Sequence, residues 1–316
     1  MDYRKIIEFG KSSYVISLPK GWLKDHNLKK GDVIYVDQEE EKLNLYPQER
    51  YKKKNFKKGE IDITDLDPIQ IKFLLVSKYV KNYNQITISG KNFSKKAKVV
   101  RDVIHDLIAL EIIEETSGKI VTKDFLNMDD IDLIDTLKKM HYLTREMLKD
   151  TQKSFDEKNS DSLKNRDKDV NRLSYLVSRT IRYLQRRPAL AKEQGFSQGA
   201  LTRLWNLSLR VESIGDHTKR LATMMNRVKL SNPEKKELLK ILNSVEKYYI
   251  DTIEAYFAQE KDKAVLLRPQ ANKLTKKCKD YFRANWDIDW VPTMLEKLKG
   301  ILAETKQIAA YLCDQT

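Results

Sequence analysis

Between residue 3 and about residue 47 the apolar positions follow a strand-like pattern. Tyr14-Val15-Ile16-Ser17-Leu18 is β-rich and is closed by Pro19-Lys20-Gly21, a signal for a turn or a helix start. Trp22-Leu23-Lys24-Asp25-His26 reads as one or two helical turns. The turn Asn27-Leu28-Lys29-Lys30-Gly31-Asp32 leads into a second strand, Val33–Asp37, and an acidic turn leads into a third, Lys42–Tyr46. Strands this short and this few cannot bury a core in one chain, because a lone hairpin is marginal in water. The segment is therefore expected to complete its sheet with a second copy, which makes dimerisation part of its folding.

The period then changes. Residues 51–60 read as a basic connector, and residues 61–126 alternate helix and strand. Pro68-Ile69 opens a helix with Ile71, Leu74, Leu75, Val76 and Tyr79 at helical spacing, and Gln85–Gly90 is a compact strand. Ser94 is placed as the cap of a second helix, whose inner face carries Val99, Val103, Ile104, Leu107 and Ile108. Glu111–Thr116 and Lys119–Lys123 form a hairpin around Ser117-Gly118. No phosphate-cradling glycine loop occurs in this α/β unit.

From about residue 129 onward the pattern is helical. Breaks at Lys158-Asn159-Ser160, Arg187-Pro188 to Gly195, Ser231-Asn232-Pro233, Glu260-Lys261-Asp262 and Trp286 to Pro292 cut it into six long helices. The Ser-Asn-Pro break divides these into two sets of three, the mark of an internal duplication. In the third helix Leu201, Leu204, Ser208, Val211, Gly215, Thr218, Ala222 and Met225 recur in steps of three and four, a bundle seam whose small members admit a close neighbour. The predicted architecture is multidomain and mainly α: a β domain over 1–50, the connector 51–60, an α/β unit over 61–126, and two three-helix repeats over 127–230 and 231–316.

Composition narrows the function classes. A content of 41% hydrophobic and 34% charged residues suits a helix-rich chain with wide solvated faces. No run approaches the roughly 20 apolar residues of a membrane span, and no targeting segment is read at the N-terminus. The two cysteines, Cys278 and Cys313, have no neighbouring histidines, so neither a disulfide framework nor a zinc site is expected, and a cytoplasmic location follows. Trp22, Trp286 and Trp290 are expected as core or interface aromatics. A formal charge of +14 points to polyanionic partners. Residues 1–50 are nearly balanced, since Glu39-Glu40-Glu41 offset the lysines; the excess begins with the Lys52–Lys58 run, whose Tyr51 and Phe56 could lie against a nucleic acid backbone.

Chemistry concentrates in Arg210-Val211-Glu212-Ser213-Ile214-Gly215-Asp216-His217. Glu212 and Asp216, four apart, share a helical face with Trp205 and Leu209. Like charges at this spacing repel by a few tenths of a kcal/mol. That leaves two readings open: a bound cation of the magnesium, manganese or iron class, or pairing with Arg210, Lys219 and Arg220, the commoner outcome on helices. Asp167 and Asn171 on the preceding helix offer a second pair of oxygen donors. His217 reads as a structural histidine beside the seam. No Ser-His-Asp, Cys-His or zincin pattern appears, so an enzyme is not expected.

Two resemblances sharpen this. Tyr14–Lys20 followed by Leu28–Val36 resembles the AbrB/SpoVT swapped-hairpin family in the order of strand, Pro-Lys, short helix and Lys-Lys-Gly-Asp turn. The resemblance implies interleaved homodimers and DNA binding, with Arg4, Lys5, Lys11, Lys20, Lys24, Lys29 and Lys30 as phosphate contacts. Residues 129–316 resemble PhoU, the phosphate signalling regulator built from two three-helix repeats, through Glu212–His217 and the companion Asp167 to Asn171. That resemblance implies a divalent or trivalent metal held by Glu212, Asp216, Asp167 and Asn171, with iron, manganese or magnesium as its identity. The second repeat departs from the pattern: Lys299 and Ala303 stand at the acidic positions, so one metal site per bundle, or none, is expected. The whole resembles the archaeal phosphate uptake regulators, in which an AbrB-like segment precedes PhoU repeats. This implies a phosphate-responsive regulator acting on DNA or, alternatively, an adaptor acting on a phosphate transporter or sensor kinase.

Overall fold

The computed structural model describes residues 3–39, 42–47 and 56–313. The chain divides into two compact units, Met1–Asn55 and Phe56–Thr316. Tyr51 and most of the Lys52–Lys58 run lie outside the described residues.

In the first unit β1 (Ile7–Phe9) pairs antiparallel with β2 (Ser13–Val15), Ile7 opposite Val15, around a turn in which Gly10 holds φ 73°. Next come α1 (Lys20–Asp25) and an antiparallel ribbon of β3 (Ile34–Glu39) and β4 (Lys42–Pro47), with Tyr35 opposite Tyr46. The first strand is shorter than expected: it stops at Val15, because β1 offers only three residues to pair with, and Ile16–Leu18 lead unpaired into α1. No residue of β1, β2 or α1 is buried. Ile6, Ile7, Phe9, Tyr14, Val36 and Leu43 are all exposed, and no described residue before Ile61 joins a hydrophobic core.

The second unit opens with a four-stranded sheet in the order β5-β6-β8-β7. Its strands are β5 (Lys58–Asp62), β6 (Gln85–Ser89), β7 (Leu110–Glu115) and β8 (Lys119–Asp124). β5 runs parallel to β6, and the other pairings are antiparallel. The basic connector therefore ends sooner than read from sequence: Lys58 already pairs with Gln85, and Gly59 and Ile61 alternate inward. Helix α2 (Pro68–Val80) starts at a capping box in which Asp67 and Gln70 exchange hydrogen bonds. Helix α3 (Phe93–His105) begins two residues earlier than expected. Phe93 is buried in its first turn and Asn92 precedes it at φ 56°, so Ser94 is not the cap.

Seven helices follow: α4 (Leu133–Thr151), α5 (Ser160–Gln185), a short α6 (Pro188–Glu193) in the expected break, α7 (Gln198–Met225), α8 (Asn232–Ala258), α9 (Lys261–Ala284) and α10 (Val291–Cys313). Ser197 caps α7 by accepting from the Ala200 N–H, and Glu234 closes the start of α8 on the Ser231 N–H at 2.6 Å. All eight seam residues of α7 are buried. The duplication is visible in burial: each of the ten buried positions of α10, moved back 87 residues, lands on a buried position of α7. On this register Lys299 and Ala303 correspond to Glu212 and Asp216. Trp286 and Trp290 are exposed rather than core residues, because they lie in the α9–α10 connection outside the apolar faces; Trp22 packs edge-on against His26.

One buried ion pair ties the sheet to the bundle. Arg179 on α5 pairs with Asp124 at the end of β8, both almost fully buried. Its Nε also donates to Asn82 Oδ1 at 3.1 Å, and its guanidinium lies over the Tyr79 ring at 4.4 Å. Charge, hydrogen bonds and stacking together satisfy an arginine that could not otherwise be buried.

Candidate functional site

Helices α5 and α7 run antiparallel, so Asp167 near the start of α5 meets Lys219 near the end of α7. Asp167 is buried, and Gly215 beside it is close enough that an added Cβ would stand 3.9 Å from Asp167 Oδ1. Two of the four expected ligands, Asp167 and Asp216, are brought together here, but around a lysine. Lys219 Nζ stands 2.7 Å from Asp167 Oδ2 and 2.7 Å from Asp216 Oδ1. Arg220 holds the other Asp216 oxygen at 2.8 Å, and Asn171 Nδ2 donates to Asp167 Oδ2 at 3.3 Å. Among the described residues Glu212 finds no hydrogen-bond or ion-pair partner.

The electrostatics follow from this geometry. Burial, then the neighbouring Asp216 and Asp167 charges, pushes the Glu212 carboxyl above its ordinary range. Burial pushes Asp216 the same way, but the hydrogen bond and charge of Lys219, with Arg220 behind it, outweigh burial and leave Asp216 below its ordinary value. Burial opposes the charge on Lys219, yet its two carboxylate hydrogen bonds hold the ammonium above the usual lysine range.

This set fits a metal ion poorly. The chemistry of the donors suits magnesium, manganese or iron, but a fixed ammonium stands where the cation belongs. Among the described residues no three His, Cys, Asp or Glu side chains converge closely enough to hold a metal ion. Of the two readings that the Glu212–Asp216 spacing leaves open, the structure displays basic pairing: Lys219 and Arg220 take Asp216, while Arg210 turns away to Glu304 at 2.8 Å on α10. His217 packs on Gly300, where a Cβ would come within 2.6 Å of its Nε2, and its Nδ1 makes no hydrogen bond among the described residues.

The second set of predicted residues lies on the first unit. Lys11 sits in the β1–β2 turn, Lys20 and Lys24 on α1, and Lys29 and Lys30 in the turn before β3; with Arg4 and Lys5 all seven are exposed.

Residues 137–225, from α4 to the last residue of α7, match the family model of the PhoU domain. The chain contains a PhoU domain. Residues 9–53 match the model described as antidote-toxin recognition MazE, bacterial antitoxin, so the first unit carries a MazE/AbrB-like domain. The crystal structure of PhoU from Pseudomonas aeruginosa is similar at 15% identity and a TM-score of 0.47, covering 58% of this chain and 91% of that one. No curated protein matches the chain. The PhoU match spans α5 and α7 and therefore the Asp167–Lys219 cluster; it ends before the second repeat, which lacks the acidic pair.

Two features of the PhoU domain escaped the sequence. Arg179 gives no local sign of burial, because its partners Asn82 and Asp124 are distant in the chain. A cleft lined by Ser178, Ile181, Arg182, Gln185, Arg186 and Trp205 opens at the far end of the α5–α7 pair. The available signal was an arginine pair one turn apart with no acidic residue beside it.

Proposed function

We propose that this chain is a non-catalytic, cytoplasmic regulator of phosphate homeostasis, in which a dimeric MazE/AbrB-like unit binds DNA and the PhoU domain reports phosphate status. The observation that carries the reading is the first unit itself: short β ribbons with exposed Ile, Phe, Tyr and Val side chains and, among the described residues, no core of their own, joined in one chain to a PhoU domain. A second copy supplies the missing cover. It also doubles Lys11, Lys20, Lys24, Lys29 and Lys30 into a two-fold array suited to backbone phosphates.

The nearly balanced charge of residues 1–50 favours a second reading, in which this unit only dimerises and the PhoU domain acts on a phosphate transporter or a sensor kinase. One experiment separates the two. Sedimentation equilibrium at micromolar concentration, beside band shifts on DNA from upstream of its own gene over a salt series, should give a dimer whose affinity falls with salt. Each phosphate contact contributes a slope of about −0.9 in log K against log salt, so Lys20→Ala/Lys24→Ala should make the dependence shallower. A dimer that shifts no DNA at low salt establishes the adaptor reading. A monomer with a folded first unit sinks both.

A further inference from the structure

The cleft at the α5–α7 end belongs to neither reading. Ser178, Arg182, Gln185 and Arg186 follow one another at steps of four, three and one along α5, so they share a face. The buried Ile181 forms the floor, and Trp205 of α7 stands opposite with its indole partly exposed.

Among the described residues neither Arg182 nor Arg186 has an ion pair, although most of the other basic side chains on or beside α5 and α7 are paired or stacked: Lys164, Arg166, Arg172, Arg179, Arg187, Arg210, Lys219 and Arg220. Two like charges one turn apart repel by a few tenths of a kcal/mol. Lys57 adds to the same field, its ammonium pushed down by burial first and by Arg186 second. Cations at a helix C-terminus complement its dipole, which accounts for an arginine there but not for a tryptophan across a concave gap.

We propose that this cleft binds a phosphate monoester carrying an aromatic ring, the mononucleotide class, with Arg182 and Arg186 on the phosphate and Trp205 under the ring. The planar guanidinium fork matches phosphate oxygens pairwise and is the usual choice for that group, while an indole face stacks on any base. Ser178 and Gln185 add polar contacts at the edge. The volume sets the size: at about 210 Å³ the cleft is smaller than pockets for drug-sized ligands, roughly 300–1,000 Å³. It therefore takes a phosphate and one ring rather than a dinucleotide.

Isothermal titration of the full chain with adenosine 5′-monophosphate, adenosine and orthophosphate tests this. The monophosphate should bind most tightly. Arg182→Ala and Arg186→Ala should each weaken it about tenfold or more, the range of a hydrogen bond to a charged group. Trp205→Leu should weaken the monophosphate while leaving orthophosphate binding unchanged, a split that a general loss of structure cannot produce. Circular dichroism of each variant confirms the fold, and Arg186→Lys, which keeps the charge and loses the fork, should fall between wild type and Arg186→Ala. The proposal is overturned if the monophosphate binds no more tightly than orthophosphate, or if the arginine variants keep wild-type affinity.

Discussion

Replacing Lys219 by methionine keeps most of the stem and removes the ammonium that bridges Asp167 and Asp216 at 2.7 Å each. Asp216 retains Arg220 at 2.8 Å and is partly open to water, so its loss is largely screened. Asp167 differs: its side chain is 7% exposed, and it keeps only the Asn171 amide at 3.3 Å. A hydrogen bond to a charged group contributes about 1.5–3 kcal/mol, and a carboxylate stranded at this depth places the cost in the upper part of that range. In a unit of this size about 1 kcal/mol moves the thermal midpoint by about 2–4 °C, so Lys219→Met should lower it by roughly 4–10 °C. Thermal denaturation followed by circular dichroism reads the change. The reasoning is refuted if the variant is no less stable than the wild type.

Two further outcomes follow from buried groups. His141 Nδ1 lies 3.1 Å from the Tyr249 hydroxyl, and burial, then Arg145, lowers its pKa to about 4, against about 6.5 when unfolded. Because the folded value is the lower one, stability is complete above the unfolded value and declines as pH falls towards 4, by up to about 3 kcal/mol. His141→Gln should flatten that decline in urea titrations run from neutral pH down to about 4, and an unchanged slope would contradict the assignment. Arg179→Met strands the buried Asp124 and should cost about 3–5 kcal/mol in chemical denaturation, whereas Arg179→Met/Asp124→Leu should cost less than the single change. A double variant at least as damaging as the single one would show that packing, not the uncompensated charge, dominates there.

The elements were legible where local signals agree. The Pro68-Ile69 helix start, Ser231-Asn232-Pro233 and the three-and-four spacing of the α7 seam each place an element without reference to distant residues, since helix starts and hydrophobic period act within a few positions. The signals failed where a partner mattered. Ser94 has the chemistry of a cap, but burial of Phe93 starts the helix sooner; residues 58–60 look like basic linker, but pairing with β6 makes them strand.

The same division runs through the sites. Sequence alone determined that the first unit is too thin to bury a core in one copy, that the second half is a duplicated bundle, and that Glu212 and Asp216 share one helical face while Asp167 and Asn171 share a face of the preceding helix. Only the tertiary structure decided what stands between those carboxylates, because an ion pair across 52 positions of chain depends on how α5 and α7 pack and not on the composition of either. It likewise decided that Arg179 is buried while Arg182, one turn minus a residue further on, is left with a charge and no partner. Helical period assigns a face to each side chain; the neighbouring helix determines what that face meets.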